Sequence, residues 1–258
     1  MPFTFAHPAA VLPLRRFKYL QTVPLIVGSV VPDLPYYVPA RFNRLMLETH
    51  TATGSLWLDI PIGLAVLVCG FLLRRALTAL MSARARALCL RALDRFADQP
   101  RHWVLAPIAI FVGTWTHLIW DSFTHDSGWI VRRVAALSAP ITLGGYTGTL
   151  CHVLQYVSSV AGLLILALWY RRLPTPAVEP PSPASVASSG RLVILLLVFT
   201  AAAGIGGYMA VRAVFAGQSN YRVIYLLLTR ASSWFALLYL AAGVFVTFNC
   251  KPEPVAET

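Results

Sequence analysis

The stretch WVLAPIAIFVGTWTHLIWDSFTHD, residues 103–126, decides the fold. It begins as an apolar run long enough to cross a bilayer, which takes about 20 residues. It closes on His117, Asp121 and His125, spaced four apart. Each four-residue step on a helix turns only about 40°, so all three project from one face. Ionisable groups are costly in a membrane segment and tend to be kept for function, and the repeated spacing points to metal ligands. At 1.5 Å rise, His117 and His125 stand roughly 12 Å apart, too far to share one ion through bonds of about 2 Å. Either Asp121 bridges two ions or the backbone breaks around Ser122, Phe123 and Thr124. The plain alternative is a polar helix end among headgroups, with Trp115, Trp120 and Trp129 as its aromatic belt.

The composition agrees with a membrane setting. The 258 residues are 57% hydrophobic and 12% charged, with mean hydropathy +0.67, whereas a soluble domain carries about 25% charge. The net charge of +11 comes from arginines gathered in short segments between apolar runs. That pattern suits topology signals and anionic headgroups rather than nucleic acid. Cys69, Cys89, Cys151 and Cys250 are scattered and read as small apolar fillers. A cleavable signal peptide is not expected, since a PDLP turn follows the first apolar run.

Outward from the central stretch, residues 1–18 are too short and proline-rich to span, and read as an interfacial segment with a short helix. Residues 20–39 read as a broken, partly embedded helix interrupted by Pro32-Asp33-Leu34-Pro35. Spans are expected at 56–73, 103–124 and 150–170, with a basic amphipathic helix within 74–102 and a loop over 125–149. PTPAVEPPSPASVASSG reads as a flexible linker. Runs 191–215 and 223–248 form a C-terminal hairpin that carries no histidine or acidic residue. The expected organisation is a helical membrane domain with a metal site over 1–173, a linker over 174–190 and a two-helix hairpin over 191–258.

The positive-inside rule puts 74–102 in the cytoplasm and gathers His50, Asp59, His117, Asp121, His125 and His152 at the outer edge of three helices. Inverting the protein keeps them together. Each also has an ordinary reading. His7 is a surface residue, His50 a loop histidine, and Asp33 a turn carboxylate beside proline. Asp59 reads first as a helix cap, and His152 as a partner of lipid phosphate. His102 reads as structural, and Asp126 as an outer partner of a ligating histidine.

MPFTFAHPAAVLPL, GSVVPDLPYY, THTATGS with a downstream Asp-Ile-Pro, and GTWTHLIWDSFTHDSGW together resemble a bacterial membrane family known as domain of unknown function 4184. The resemblance covers roughly residues 1–170. That family is similar to the YdjM-like inner-membrane metal-dependent hydrolases and, more distantly, to the helical multi-zinc arrangement of zinc phospholipase C. The resemblance implies His7, Asp33, His50, His117, Asp121 and His125 as ligands, with Asp33 and Asp121 also catalytic. The Arg-Gly-x-x-His loop of the YdjM-like proteins is replaced here by LETHTATGS, and His152 has no Glu four residues on.

The expectation is an all-α polytopic protein of the bacterial inner membrane, with five to six embedded helices. It holds one to three divalent ions, zinc foremost, at a site on the outer face, and hydrolyses a phosphoester of a lipid or lipid-linked substrate. Its partners are membrane lipids, not nucleic acid. A transporter using the same cluster, or a non-catalytic assembly factor with a structural metal, is the alternative.

Overall fold

The computed structural model describes residues 4–37, 43–143, 146–174 and 188–249. About 81% of the described residues are helical. Short helices come first: a 3-10 turn Thr4–Ala6, α1 (Pro8–Val11), a 3-10 turn Leu12–Arg16, α2 (Thr22–Val30), a 3-10 turn Val31–Asp33 and α3 (Leu34–Tyr37). Pro32 shapes this region. It is separated from α2 by one residue, cannot donate to the ladder, and the chain tightens to 3-10 geometry that ends on Asp33. Then follow α4 (Asn43–Glu48), α5 (Gly54–Trp57), α6 (Asp59–Leu72), α7 (Arg74–Ala79), α8 (Ala83–Ala97) and α9 (Pro100–Thr124). The expected loop over 125–149 holds a small antiparallel hairpin, β1 (Pro140–Leu143) with β2 (Tyr146–Thr149), Pro140 opposite Thr149. Helices α10 (Leu150–Arg172), α11 (Ser188–Phe215) and α12 (Asn220–Asn249) complete the order.

Among the described residues, five helical stretches are long and apolar enough to cross a membrane: Gly54–Leu72, Pro100–Thr124, Leu150–Arg172, Ser189–Phe215 and Arg222–Asn249. The protein is an all-α polytopic membrane protein. Of the expected linker, residues 175–187 lie outside the described residues, as does Cys250.

The described residues fall into two compact units. One takes Met1–Pro35, Phe42–Val68 and Phe96–Pro174. Its central pair is α2 against α9, and glycine makes the approach possible. A Cβ on Gly28 would run into the carbonyl of Ile110, and one on Gly113 into the carbonyl of Leu25. Leu25, Ala106, Ala109 and Ile110 are fully buried along this seam, and Thr114 Oγ1 donates to the Gly28 carbonyl at 3.2 Å. Gly162 of α10 plays the same part for the N-terminal turn, resting on Ala6.

The second unit takes Tyr36–Arg41, Cys69–Arg95 and Thr175–Thr258. Here α11 packs on α12 through Gly206, whose added Cβ would meet Ala231 Cβ at 2.8 Å. Helix α12 lies on α7 through Gly243 against Ala76, and Tyr239 donates its hydroxyl to the Leu77 carbonyl at 2.8 Å. Helix α8 carries the expected arginines, though Arg86 is buried rather than presented to headgroups.

Candidate metal centre

Helix α9 runs unbroken through Ser122, Phe123 and Thr124 and leaves helical geometry only at His125, which is extended (φ −121°, ψ 141°). The helix thus ends directly after Thr124, at the edge of the stretch where a break was one of the two expectations. The carboxylate of Asp121 also faces two ways. Its Oδ2 lies 3.3 Å from His117 Nε2 and 3.8 Å from His50 Nε2. Its Oδ1 lies 3.6 Å from both His7 Nε2 and His125 Nδ1.

Asp33 joins the first side. Its Oδ1 stands 3.4 Å from His50 Nε2 and 3.7 Å from His117 Nε2, while its Oδ2 accepts a 2.6 Å hydrogen bond from Thr4 Oγ1. The structure thus brings together all six residues singled out in the sequence, from segments up to more than a hundred residues apart. Asp33, His50, His117 and Asp121 each offer one donor atom within 4.8 Å of the others. His7 and His125 approach only the outer oxygen of Asp121.

The local fold explains how each ring is aimed. The glycine seam between α2 and α9 brings the Ser29 carbonyl to 2.8 Å from His117 Nδ1. An imidazole that donates Nδ1–H there keeps its Nε2 lone pair for a ligand. His50 follows Thr49, whose hydroxyl is anchored on the Pro32 carbonyl at 2.9 Å and lies 3.3 Å from His50 Nδ1. His7 stacks on His117 at 3.9 Å, and Trp120 meets its edge. These outer contacts are backbone carbonyls, hydroxyls and rings. Asp126, expected among them, instead pairs with His152 at 3.0 Å.

The separations carry the chemistry. Imidazole and carboxylate atoms 3.3–3.8 Å apart are too distant for good hydrogen bonds, which peak near 2.9 Å. Donors bound at about 2.0–2.2 Å around one tetrahedral ion sit roughly 3.3–3.6 Å from each other. His117 Nε2, both ring nitrogens of His7 and Asp121 Oδ1 are buried with no hydrogen-bond partner, an arrangement that costs free energy unless something else binds them. The donor set therefore fits a divalent cation, and the cluster can hold one. Burial, reinforced by His117, pushes the His7 imidazole down to about 3, which keeps it neutral. Burial also lowers His125, against the pull of Asp121. Burial by itself would raise Asp33, but the neighbouring His117 and His50 rings outweigh it and hold the carboxyl well below its usual range. Neutral imidazoles and an ionised carboxylate are the forms that ligate.

His7, Asp33 and His117 are closed off, whereas the side chains of His50 and His125 are 21% and 24% exposed. The centre is reachable from outside at those two rings.

Asp59 corrects its first reading. It is completely buried in the first turn of α6 with neither oxygen hydrogen-bonded, so it caps nothing. It lies within electrostatic reach of His50 and His117. Its position before Pro61 mimicked a cap, and a buried acid at the start of an apolar run was the available signal for a functional group. His102 is structural, as read, buried with Nδ1 3.1 Å from the Phe96 carbonyl.

The family model for a domain of unknown function, DUF4184, matches residues 1–246. The match continues past the motif-bearing stretch 1–170 and through most of the C-terminal hairpin. No curated protein and no solved structure matches the chain.

Proposed function

The chain belongs to the DUF4184 family, a domain of unknown function, and from the donor cluster and its membrane setting we propose that it is a membrane-embedded, metal-dependent hydrolase acting on a phosphoester of a lipid or lipid-linked substrate. One observation carries the reading. Four donor atoms from three chain segments meet with imidazole–carboxylate separations of 3.3–3.8 Å, all but His50 buried, and with ring and carboxylate atoms left unpartnered. In this reading Asp33, His50, His117 and Asp121 would hold the principal ion. His7 and His125, which face the other oxygen of Asp121, would serve a second one. Imidazole and carboxylate donors suit zinc, with manganese next.

A bound divalent ion supplies Lewis acidity towards a phosphoryl oxygen and acidifies water at neutral pH. The chain's own groups do the rest. Asp33 is locked by Thr4, so its Oδ1 is a fixed hydrogen-bond acceptor that orients the attacking water. Asp121 keeps the His7 and His117 rings in register. Asp59, buried and unpaired near His50, is suited to hold the proton that the water gives up. His50 and His125 mark the reachable edge, where the substrate's phosphate enters while its acyl portion stays in the bilayer. A site at the end of spanning helices favours an amphiphilic substrate over a soluble one. We assign the protein to the bacterial inner membrane with the centre on the outer face, because the arginine-rich segment 74–102 is then cytoplasmic.

The test uses full-length protein in detergent. Metal analysis is expected to find zinc in stoichiometric amount, lost in His117→Ala, and mixed micelles of phospholipid or polyprenyl phosphate substrates are expected to be hydrolysed only by the metal-loaded protein. Absence of bound metal in every preparation overturns the reading. Metal-driven flux into liposomes without hydrolysis replaces it with a transporter.

A further inference from the structure

Outside the cluster just described, a second group of chemically capable side chains meets where the chain returns from the β-hairpin into α10. Asp126 Oδ2 lies 3.0 Å from His152 Nε2. Cys151 Sγ lies 3.3 Å from Asp126 Oδ1 and 3.1 Å from Thr149 Oγ1. Thr149 also donates to Asp126 Oδ1 at 3.4 Å. One carboxylate, one thiol and one imidazole thus place donor atoms within 4.8 Å of one another. Cys151 is fully buried, while the side chains of Asp126 and His152 are 65% and 26% exposed.

We propose that Asp126, Cys151 and His152 form a second metal site, for one thiophilic divalent ion of the zinc type, distinct from the nitrogen–oxygen cluster around Asp121. Thiolate, imidazole and carboxylate are a zinc donor set, and thiolate selects against magnesium and calcium. The 3.3 Å between Cys151 Sγ and Asp126 Oδ1 already matches a ligand edge of a tetrahedral ion, roughly 3.3–3.6 Å, and the 3.0 Å contact of His152 with Asp126 has only to open slightly. The two hydrogens that now join the thiol and the ring to the carboxylate give way to a single ion. Binding releases one proton, from the Cys151 thiol, while the neutral His152 ring moves its Nε2 hydrogen to Nδ1 and ligates through the freed Nε2 lone pair. The resulting thiolate and the Asp126 carboxylate together balance the divalent charge. Thr149 remains as the outer hydrogen-bond donor that orients the carboxylate. With three protein donors and an exposed flank, the fourth position belongs to water or an incoming ligand. The site rests on its own residues and does not depend on the hydrolase reading.

Cobalt distinguishes the two centres, because only this one contains sulfur. Full-length protein, stripped of metal in reducing detergent buffer, is titrated with Co(II) while the near-ultraviolet thiolate-to-cobalt charge-transfer band is followed. The band is expected to grow to one equivalent of thiolate-bound cobalt and to vanish in Cys151→Ser. Asp126→Asn, a change at an exposed position that spares the fold, shifts the midpoint upward by about tenfold or more. His117→Ala leaves the band intact, so loss of the buried cluster and loss of this site read separately. No band in the wild-type protein, or a band that survives Cys151→Ser, overturns the proposal.

Discussion

Helices α2 and α9 meet through Gly28 and Gly113, and helices α11 and α12 meet through Gly206. Both pairs use the device suited to lipid surroundings, where little hydrophobic force joins helices and close backbone approach supplies dispersion contact. They differ in what some of their buried polar residues do. On α12, Thr229 donates to the Tyr225 carbonyl, Ser233 to the Thr229 carbonyl and Thr247 to the Gly243 carbonyl, each four residues back. Those hydroxyls are satisfied within their own helix and ask nothing of a partner. On α9, His117 takes its backbone partner from α2 and keeps Nε2 unpartnered. A tight helix crossing is therefore not itself a sign of function. The sign is a crossing that orients polar groups and leaves their donor atoms unpaired.

The sharpest way to break this comparison is Asp121→Ala. Both oxygens of Asp121 are shared between the two sides of the cluster, so bound metal is expected to fall from stoichiometric to trace, read by elemental analysis of purified protein. Retention of full metal would place the ion elsewhere. Next comes Gly113→Leu, which touches no ligand. It forces α2 off α9 at a cost of about 1–3 kcal/mol and withdraws the Ser29 carbonyl from His117, so metal is lost along with thermal stability. Gly206→Leu should cost a similar amount while leaving metal content unchanged, and equal metal loss in both variants would erase the distinction.

A smaller effect is expected from Thr4→Val. It frees Asp33 Oδ2 from its 2.6 Å bond and should weaken metal affinity by about 10–100-fold, measured by competition with a chromophoric chelator. Smallest is Thr229→Val on α12, where an in-helix bond within a bilayer is worth about 0.6 kcal/mol. A shift in melting temperature barely above error, with unchanged metal, is the expected result.

Much of the candidate centre was legible because helical spacing is a local property. His117, Asp121 and His125 declare a shared face through their separation alone, and the His50 and Asp33 loops follow from the motifs around them. Other features depended on contacts between distant segments. Spacing left open whether Asp121 was shared or the helix broke, since that turns on where His7 and Ser29 arrive. Asp59 resembled a cap because a carboxylate at a helix start usually is one, and only burial without a partner distinguishes it. Cys151 resembled an apolar filler, and Asp126 an outer partner of a ligating histidine. Neither revealed its contact with the other until the β-hairpin folded the intervening chain back.

The sequence by itself determined that this is a helical membrane protein, because length and apolarity of a segment suffice to commit it to lipid. It also determined which side chains have the chemistry to bind metal. Only the tertiary structure decided which atoms of those side chains face one another, which lone pairs are left without partners, and that a second group containing sulfur exists. Such pairings arise where backbones approach through glycine and where a loop returns, and these are contacts between residues whose distance along the chain says nothing about their distance in space.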